Sequence, residues 1–459
     1  MAERAPTPHL RSDPPAKPAE LVSVVIPASK EAGTLSELIR RVRAVLQSCA
    51  RSIEIIVVVP SPDDPGAEIA RAGGARVIVQ MRPGYGGALK EGLIAVRGDY
   101  VITMDADLSH PPEAIADIMA QREKAGVVIA SRYVAGGDSS RMTAKRALLS
   151  RILNGVYRRI LAVPVLDMSS AFRGYQRRVI DELTLESEKY DVLEEILVQS
   201  YSLGWDVIEI PFDYQPRAGG RSHARVMGLV PHFLSTLYRL WVMRNGFASA
   251  DYDSRAYDSL VVPQRYWQRR RYQIVTEMAG ADPNRLDIGC GSSRIIQSAP
   301  ESVGLDVEQA KLRFLRKTNS RLVRGSCFDL PFADHSFSTI VNSQMIEHVP
   351  YAATMFTELN RVLKPGGTMV IGTPDYARAA WRITEWIYSR FLPYAYADDH
   401  ITHYTRYRLT EELARAGFAT IRYEYILGGE LVMQCVKREE RRADALHTEA
   451  QIPREEGVR

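Results

Sequence analysis

Asp105-Ala106-Asp107 directly follows the apolar run Tyr100–Thr103. Two carboxylates one residue apart at the end of a buried strand can hold a divalent cation, Mg²⁺ or Mn²⁺, against a diphosphate and neutralise a leaving nucleoside diphosphate. A different chemistry is written at Leu286-Asp287-Ile288-Gly289-Cys290-Gly291. There a strand passes into a turn too tight for side chains, where glycine lets the backbone approach a nucleoside cofactor. The third glycine of the dinucleotide fingerprint is missing. Val303-Gly304-Leu305-Asp306 ends the next apolar run with a carboxylate suited to two ribose hydroxyls. Gly84-Tyr85-Gly86-Gly87-Ala88-Leu89 reads either as a close approach to a ligand before a helix or as a plain turn.

Such sites need strands that end side by side, and the chain supplies two series of them. Apolar, β-branched runs at Leu21–Pro27, Ile53–Val59, Ala75–Val79, Tyr100–Met104 and Gly126–Ala130 alternate with helical periodicity at Leu35–Leu46 and Pro112–Lys124. The second series runs through Arg285–Gly289, Ser302–Asp306, Leu322–Arg324, Phe337–Asn342 and Thr368–Gly372. Short strands alternating with helices predict parallel sheets with crossover helices, and so an α/β fold in each half. The polar, Arg- and Tyr-rich stretch 249–271 is expected to link a first domain, 21–248, to a second, 272–436, with Gln264–Ala279 as an opening helix. Residues 1–20, rich in proline, read as a disordered leader, and residues 437–459 as a charged tail.

Composition narrows the class. A chain of 459 residues exceeds one ordinary core, so two or three domains are expected. A hydrophobic share of 46% and a charged share of 25% are those of a soluble globular protein. The net charge of +4 argues against a dedicated nucleic-acid binder while allowing local phosphate sites. Cys49, Cys290, Cys327 and Cys435 are far apart and form no metal or redox spacing, which fits a reducing, cytoplasmic compartment. No run approaches the roughly 18–20 apolar residues that span a bilayer, and no signal peptide opens the chain. His232–Val242 carries Phe233, Leu234, Leu237, Tyr238, Leu240 and Trp241 at helical spacing. That stripe suits either peripheral contact with the inner face of a membrane or packing on a neighbouring domain.

Val24-Val25-Ile26-Pro27-Ala28-Ser29-Lys30-Glu31, Asp105 through Glu113, Ala130-Ser131-Arg132-Tyr133, Asp167 through Arg173 and Arg217 through His223 occur in that order. The series resembles the family 2 glycosyltransferases, most closely the dolichyl-phosphate mannose synthase group, over about residues 20–245. The resemblance implies a GT-A (nucleotide-diphospho-sugar transferase) fold and inverting transfer of a sugar, mannose or a related hexose, from a nucleotide donor to a polyprenyl phosphate or other acceptor. It puts Asp105 and Asp107 on the metal, Pro27 and Glu31 on the nucleotide sugar, and Arg132, Arg146 and Arg217 on phosphates. Ser150, Arg217 and Ser222 would meet the acceptor phosphate. An acceptor phosphate is already ionised near neutral pH, so positioning and charge neutralisation suffice, and arginine's fork suits phosphate oxygens. The sequence departs from the family in three places. The second strand ends Val58-Val59-Pro60 where an acidic pair is usual, Ser109 stands for a glutamine, and His223 for a lysine.

Leu330 through Phe337, Glu347-His348-Val349 and Glu358 through Gly367, with the glycine turn, resemble class I S-adenosylmethionine methyltransferases of the ubiquinone and small-molecule type over about residues 265–430. The resemblance implies a Rossmann-like sheet with Asp287, Gly289 and Gly291 around S-adenosyl-L-methionine and Asp306 on its ribose. Ser326 and Asp329 would lie at the adenine, where an acidic residue is more usual than Ser326. Methyl transfer to a hydroxyl would need a base, for which His348, His400 and His403 are candidates. Two readings follow: a bifunctional glycosyltransferase and methyltransferase, or a methyltransferase whose glycosyltransferase-like half is a binding or scaffolding module.

Overall fold

The structure, a computed structural model, describes residues 21–142, 144–216, 226–391 and 400–439. The first strands are β1 (Leu21–Pro27), β2 (Ser52–Val59), β3 (Arg76–Val79), β4 (Tyr100–Thr103), β5 (Val127–Ser131), β6 (Arg173–Gln176) and β7 (Val207–Pro211). They form one sheet in the order β3-β2-β1-β4-β6-β5-β7. β1 pairs parallel with both β2 and β4. Its interior, Val22–Ile26, is buried throughout, as a parallel strand covered on both faces must be. Alternation sorts the side chains: Val22, Val24 and Ile26 pack with Leu35, Leu38 and Val42 of the helix Ala32–Leu46. Val25 faces the other way, toward Leu89 and Leu93 of the helix Gly84–Ala95 and Ile196 of the helix Val192–Ser202.

β6 runs antiparallel between β4 and β5, and nothing in the apolar pattern announces it. Its first residue, Arg173, is fully buried. Its guanidinium donates through Nη1 and Nη2 to the Leu193 and Met168 carbonyls at 2.7 and 2.6 Å, which holds a charged residue inside a core where periodicity would place an apolar one.

The second sheet contains β8 (Arg285–Ile288), β9 (Val303–Asp306), β10 (Leu322–Arg324), β11 (Phe337–Ser343), β12 (Leu363–Pro374), β13 (Phe418–Ile426) and β14 (Glu430–Lys437). The order is β10-β9-β8-β11-β12-β14-β13, with β14 antiparallel to both neighbours. The helix Val262–Ala279 lays Ile274, Val275 and Met278 on Val341, Val370 and Val432. In both sheets the strand order reverses beside the first strand, and ligands of open α/β sheets bind in the crevice at such points.

The chain divides into two compact units, Met1–Arg255 with Glu308–Lys317 and Ala256–Val307 with Thr318–Arg459. The stretch 249–271, expected as a linker, carries the helix Tyr252–Tyr257 and the start of the helix Val262–Ala279. Asp251 is buried there, accepting from Arg244 Nη1 and Nη2 at 2.7 and 2.8 Å. That charge-assisted pair ties the polar stretch to the first unit.

Candidate active sites

In the first unit, Thr34 at the start of the helix Ala32–Leu46 donates its hydroxyl to the Ala106 carbonyl at 2.7 Å. This bond clamps the turn after β1 to the turn after β4. Pro27 ends β1, and Glu31 stands at the helix cap, its carboxylate accepting the Ser29 N–H. Asp105 Oδ1 accepts from the Tyr85 hydroxyl at 3.2 Å. The Asp105 N–H donates to His110 Nδ1 at 3.0 Å, which puts the ring proton on Nε2, 3.9 Å from Asp105 Oδ2. His110 is buried and stacked on Phe172, and burial holds its pKa below the usual value, so the ring is neutral. Leu108 adopts a left-handed φ of 61°, folding the turn so that the Ser109 N–H reaches Asp107 Oδ1 at 3.0 Å. Both carboxylates are thus oriented by neutral donors, which suits a hard divalent cation with oxygen ligands.

The glycine cluster Gly84–Gly87 has a packing explanation. Gly84 has φ +84°, and a Cβ on Gly86 would lie 2.5 Å from the Glu188 carbonyl carbon. The cluster lets two backbone segments touch, and Tyr85 within it stacks on Tyr190 and reaches Asp105. Sequence reasoning passed over Tyr85 and His110, the residues that orient the first carboxylate.

Arg132 follows β5, but its fork is engaged by protein. Nη2 and Nε donate to Asp167 Oδ1 and Oδ2 at 2.6 and 2.8 Å, and Nη2 also meets Ser169 Oγ at 3.0 Å. Only Nη1 looks elsewhere, 3.9 Å from Met142 Sδ. Arg132 therefore holds the loop Asp167–Ser169 through Nε and Nη2, and it also lines the neighbouring cavity. Ser150, on the helix Ala144–Leu161, lies 3.3 Å from Ser169 Oγ and joins this network. Beside it opens a cavity of about 780 Å³ lined by Tyr133, Ser139, Arg151, Asn154 and Arg158 among others. Asn154 is buried with an unpartnered Nδ2. Asn154, Arg151 and Arg158 carried no sequence signal beyond their helical spacing, yet they supply donors to this cavity. Arg217, Ser222, His223 and the Arg146 side chain lie outside the described residues.

In the second unit, β8 leads into Gly289 and Gly291 at φ +65° and +53°. A Cβ on Gly289 would strike Met345 at 2.3 Å, so only glycine fits. Asp306 at the end of β9 accepts the Gly291 N–H at 2.8 Å, and its own carbonyl accepts the Gly325 N–H at 3.1 Å. That second bond leads to Ser326 and Asp329, which share one tight turn after β10, with the Phe328 N–H on Ser326 Oγ. Asp287 is buried with an unpartnered Oδ2, and burial pushes its pKa up to about 7. Glycine turn, strand-end carboxylate and buried carboxyl group thus gather at the carboxyl ends of β8 and β9, with Ser326 and Asp329 following β10 beside them.

The carboxyl end of β11 adds groups that the sequence did not single out. Among the described residues, fully buried Asn342 finds no partner for either amide atom, and Ser343 Oγ and Gln344 Nε2 find none either. Of the candidate histidines, His348 and His400 lie ring to ring at 4.9 Å, and His403 stacks on Tyr376 at 3.9 Å. Burial and the neighbouring His348 and His403 push His400 down to about 3, so it is neutral at working pH. Burial raises Glu347 to about 8. Asp398 and Asp399 lie outside the described residues.

Residues 23–184 match the model of glycosyl transferase family 2, and residues 286–371 match that of a methyltransferase domain. An undecaprenyl-phosphate 4-deoxy-4-formamido-L-arabinose transferase from Pseudomonas paraeruginosa (strain DSM 24068 / PA7) is 32% identical over 46% of this chain and 63% of its own length. The protein of that name from Edwardsiella ictaluri (strain 93-146) is 33% identical over 47% of this chain and 66% of its own length. The chain thus spans a little under two thirds of the curated relatives it matches. Among solved structures, glucosyl-3-phosphoglycerate synthase from Mycobacterium tuberculosis matches at 24% identity over 48% of this chain and 80% of that one, TM-score 0.39. A SAM-dependent methyltransferase from Thermotoga maritima matches at 18% identity over 40% of this chain and 95% of that one, TM-score 0.35.

Proposed function

We propose that this chain, in which a family 2 glycosyltransferase domain is joined to a methyltransferase domain, transfers a sugar from a nucleotide donor to a polyprenyl phosphate and methylates a product or precursor with S-adenosylmethionine. The observation that carries the first activity is the oriented pair Asp105 and Asp107 at the switch point of the sheet. When bound there, Mg²⁺ or Mn²⁺ supplies charge neutralisation for the departing diphosphate. The protein's own part is orientation: Tyr85 and His110 fix Asp105, Ser109 fixes Asp107, and Thr34 locks the turn that bears Pro27 and Glu31. Arg132 holds the Asp167–Ser169 loop against Ser150. Arg151, Arg158 and Asn154 line the cavity beside that loop and are assigned to the acceptor phosphate, with Arg146, Arg217 and Ser222 as further phosphate groups by family resemblance.

A lipid acceptor is supported by the relatives, whose names specify undecaprenyl phosphate, and by the surface next to the cavity. Leu148, Ile152, Val156 and Ile160 recur every four residues along the helix Ala144–Leu161 and are all exposed. Leu234 and Tyr238, on the helix Val226–Asn245, are exposed as well. An apolar stripe flanked by Arg151, Arg158 and Arg159 is suited to peripheral contact with an anionic membrane. No helix among the described residues is long and apolar enough to cross a membrane. The donor sugar is a hexose such as mannose by family resemblance, or a 4-amino pentose derivative as in the named relatives. Mass spectrometry of products from nucleotide sugars and short polyprenyl phosphates, with and without S-adenosylmethionine, tests the proposal. A glycosylated lipid phosphate is the expected product; turnover of no nucleotide sugar, with S-adenosylhomocysteine still bound, would leave the first domain as a binding or scaffolding module.

A further inference from the structure

The second unit gathers side chains that methyl transfer by alignment alone does not require. Glu347 and His348 lie in the short helix Ile346–His348 after β11, and His400 comes from a distant segment. One ligand atom of each lies within 4.8 Å of the others. The juxtaposition is fixed by main chain, because the Glu347 carbonyl accepts the Ile401 and Thr402 N–H groups at 2.8 and 3.0 Å. Glu347 is fully buried, and no hydrogen bond of ordinary geometry reaches either carboxylate oxygen among the described residues. The Thr373 hydroxyl relieves it only in part. The ionised form of a carboxyl group buried in this way needs a counter-charge.

The histidine side is prepared in a way that suits such a charge. Tyr376 gives its hydroxyl proton to Glu385 at 2.8 Å and lies 2.7 Å from His400 Nδ1. A hydroxyl has one proton, so its oxygen accepts from Nδ1–H, and the ring's lone pair is on Nε2. Imidazoles that ligate metals commonly have this outer support, which fixes tautomer and orientation.

We propose that Glu347, His348 and His400 form a binding site for a divalent transition-metal ion, Zn²⁺ in the first instance. Two imidazoles and one carboxylate are a ligand set for zinc that leaves a position open to an oxygen of the methyl acceptor. The site adjoins the glycine turn through Met345, which packs on Gly289. Its use in catalysis rests on the methyltransferase reading; binding of the ion does not.

The test uses the full chain, freed of metal by a chelator and titrated with Co²⁺ while its visible absorption is recorded. S-adenosylhomocysteine binding is followed in parallel by thermal shift. We expect a nitrogen-ligated Co²⁺ spectrum that Asp105→Ala retains and that His348→Ala and His400→Ala abolish. Glu347→Gln and Tyr376→Phe, nearly isosteric, should keep the fold, and Tyr376→Phe should weaken Co²⁺ by about 10–100-fold. Unchanged Co²⁺ affinity in Glu347→Gln and both histidine variants, or Co²⁺ binding only at the site that Asp105→Ala removes, would overturn the proposal. Absent S-adenosylhomocysteine binding with Co²⁺ still bound would instead sink the methyltransferase reading.

Discussion

Both units put their chemistry at the carboxyl ends of parallel strands, yet they treat the polar groups there in opposite ways. In the first, Asp105 and Asp107 are held by Tyr85, His110 and Ser109, so their directions are set in advance. In the second, Asp287 and Asn342 are buried with polar atoms that find no hydrogen bond among the described residues. The first site stores oriented charge, and its natural complement is a cation. The second stores unmet hydrogen-bonding capacity, which costs stability until a ligand meets it. Ligand binding should therefore stabilise the second unit more than the first.

The contrast breaks most visibly in activity. Asp105→Ala should lower sugar transfer by at least about 10²–10³-fold, the scale of losing a preorganised electrostatic group, while the thermal shift with S-adenosylhomocysteine stays the same. Loss of both in equal measure would mean that the two units do not act independently. Next is the buried pair of Arg132 and Asp167, whose side chains are 9% and 0% exposed. Arg132→Ala strands a buried carboxylate and should cost about 3–5 kcal/mol in denaturant unfolding. Arg151→Ala should leave unfolding unchanged and raise KM for the polyprenyl phosphate. If Arg132→Ala keeps its stability and loses only phosphate affinity, the positioning role assigned to Arg132 is wrong.

A smaller effect is expected at Asp306. Asp306→Asn replaces the carboxylate proposed to meet the ribose and should weaken S-adenosylmethionine by about 10–100-fold, from the about 1.5–3 kcal/mol of a hydrogen bond to a charged group. Calorimetric titration reads it directly. A pH profile reads the last of these, at Glu194, which burial raises from 4.5 to about 8. A raised carboxyl contributes stability below its unfolded pKa and loses it as pH climbs through the folded value. The melting temperature of the first unit should thus fall between about pH 4.5 and 8, and Glu194→Gln should flatten that slope.

What could be read from the sequence was what local pattern encodes. β1, β2 and β4 are continuous apolar runs because both faces are covered, and the Gly289–Gly291 turn declares itself because a Cβ would meet Met345. β6 was hidden because Arg173 is held by hydrogen bonds to carbonyls that come from other segments. The pairing of Arg132 was hidden by the same cause: a residue type suited to phosphate also meets Asp167 across the fold. Tyr85, His110 and Asn342 were silent because their meaning lies in partners, met or missing, that spacing does not specify. The three histidines were legible as candidates only one at a time, and the backbone bonds from Ile401 and Thr402 to Glu347 unite two of them.

The pair of Arg244 with Asp251 bears on how this gene product can be dissected. Arg244 is fully buried, and Asp251 also accepts from Arg255 at 3.2 Å. A fragment ended at residue 248, where composition alone would place the cut, would strip that guanidinium of its carboxylate and expose the Leu161 end of the core to an uncompensated cation. A cut that spares this pair must fall beyond Arg255, inside the polar stretch 249–271 that looks like a dispensable linker.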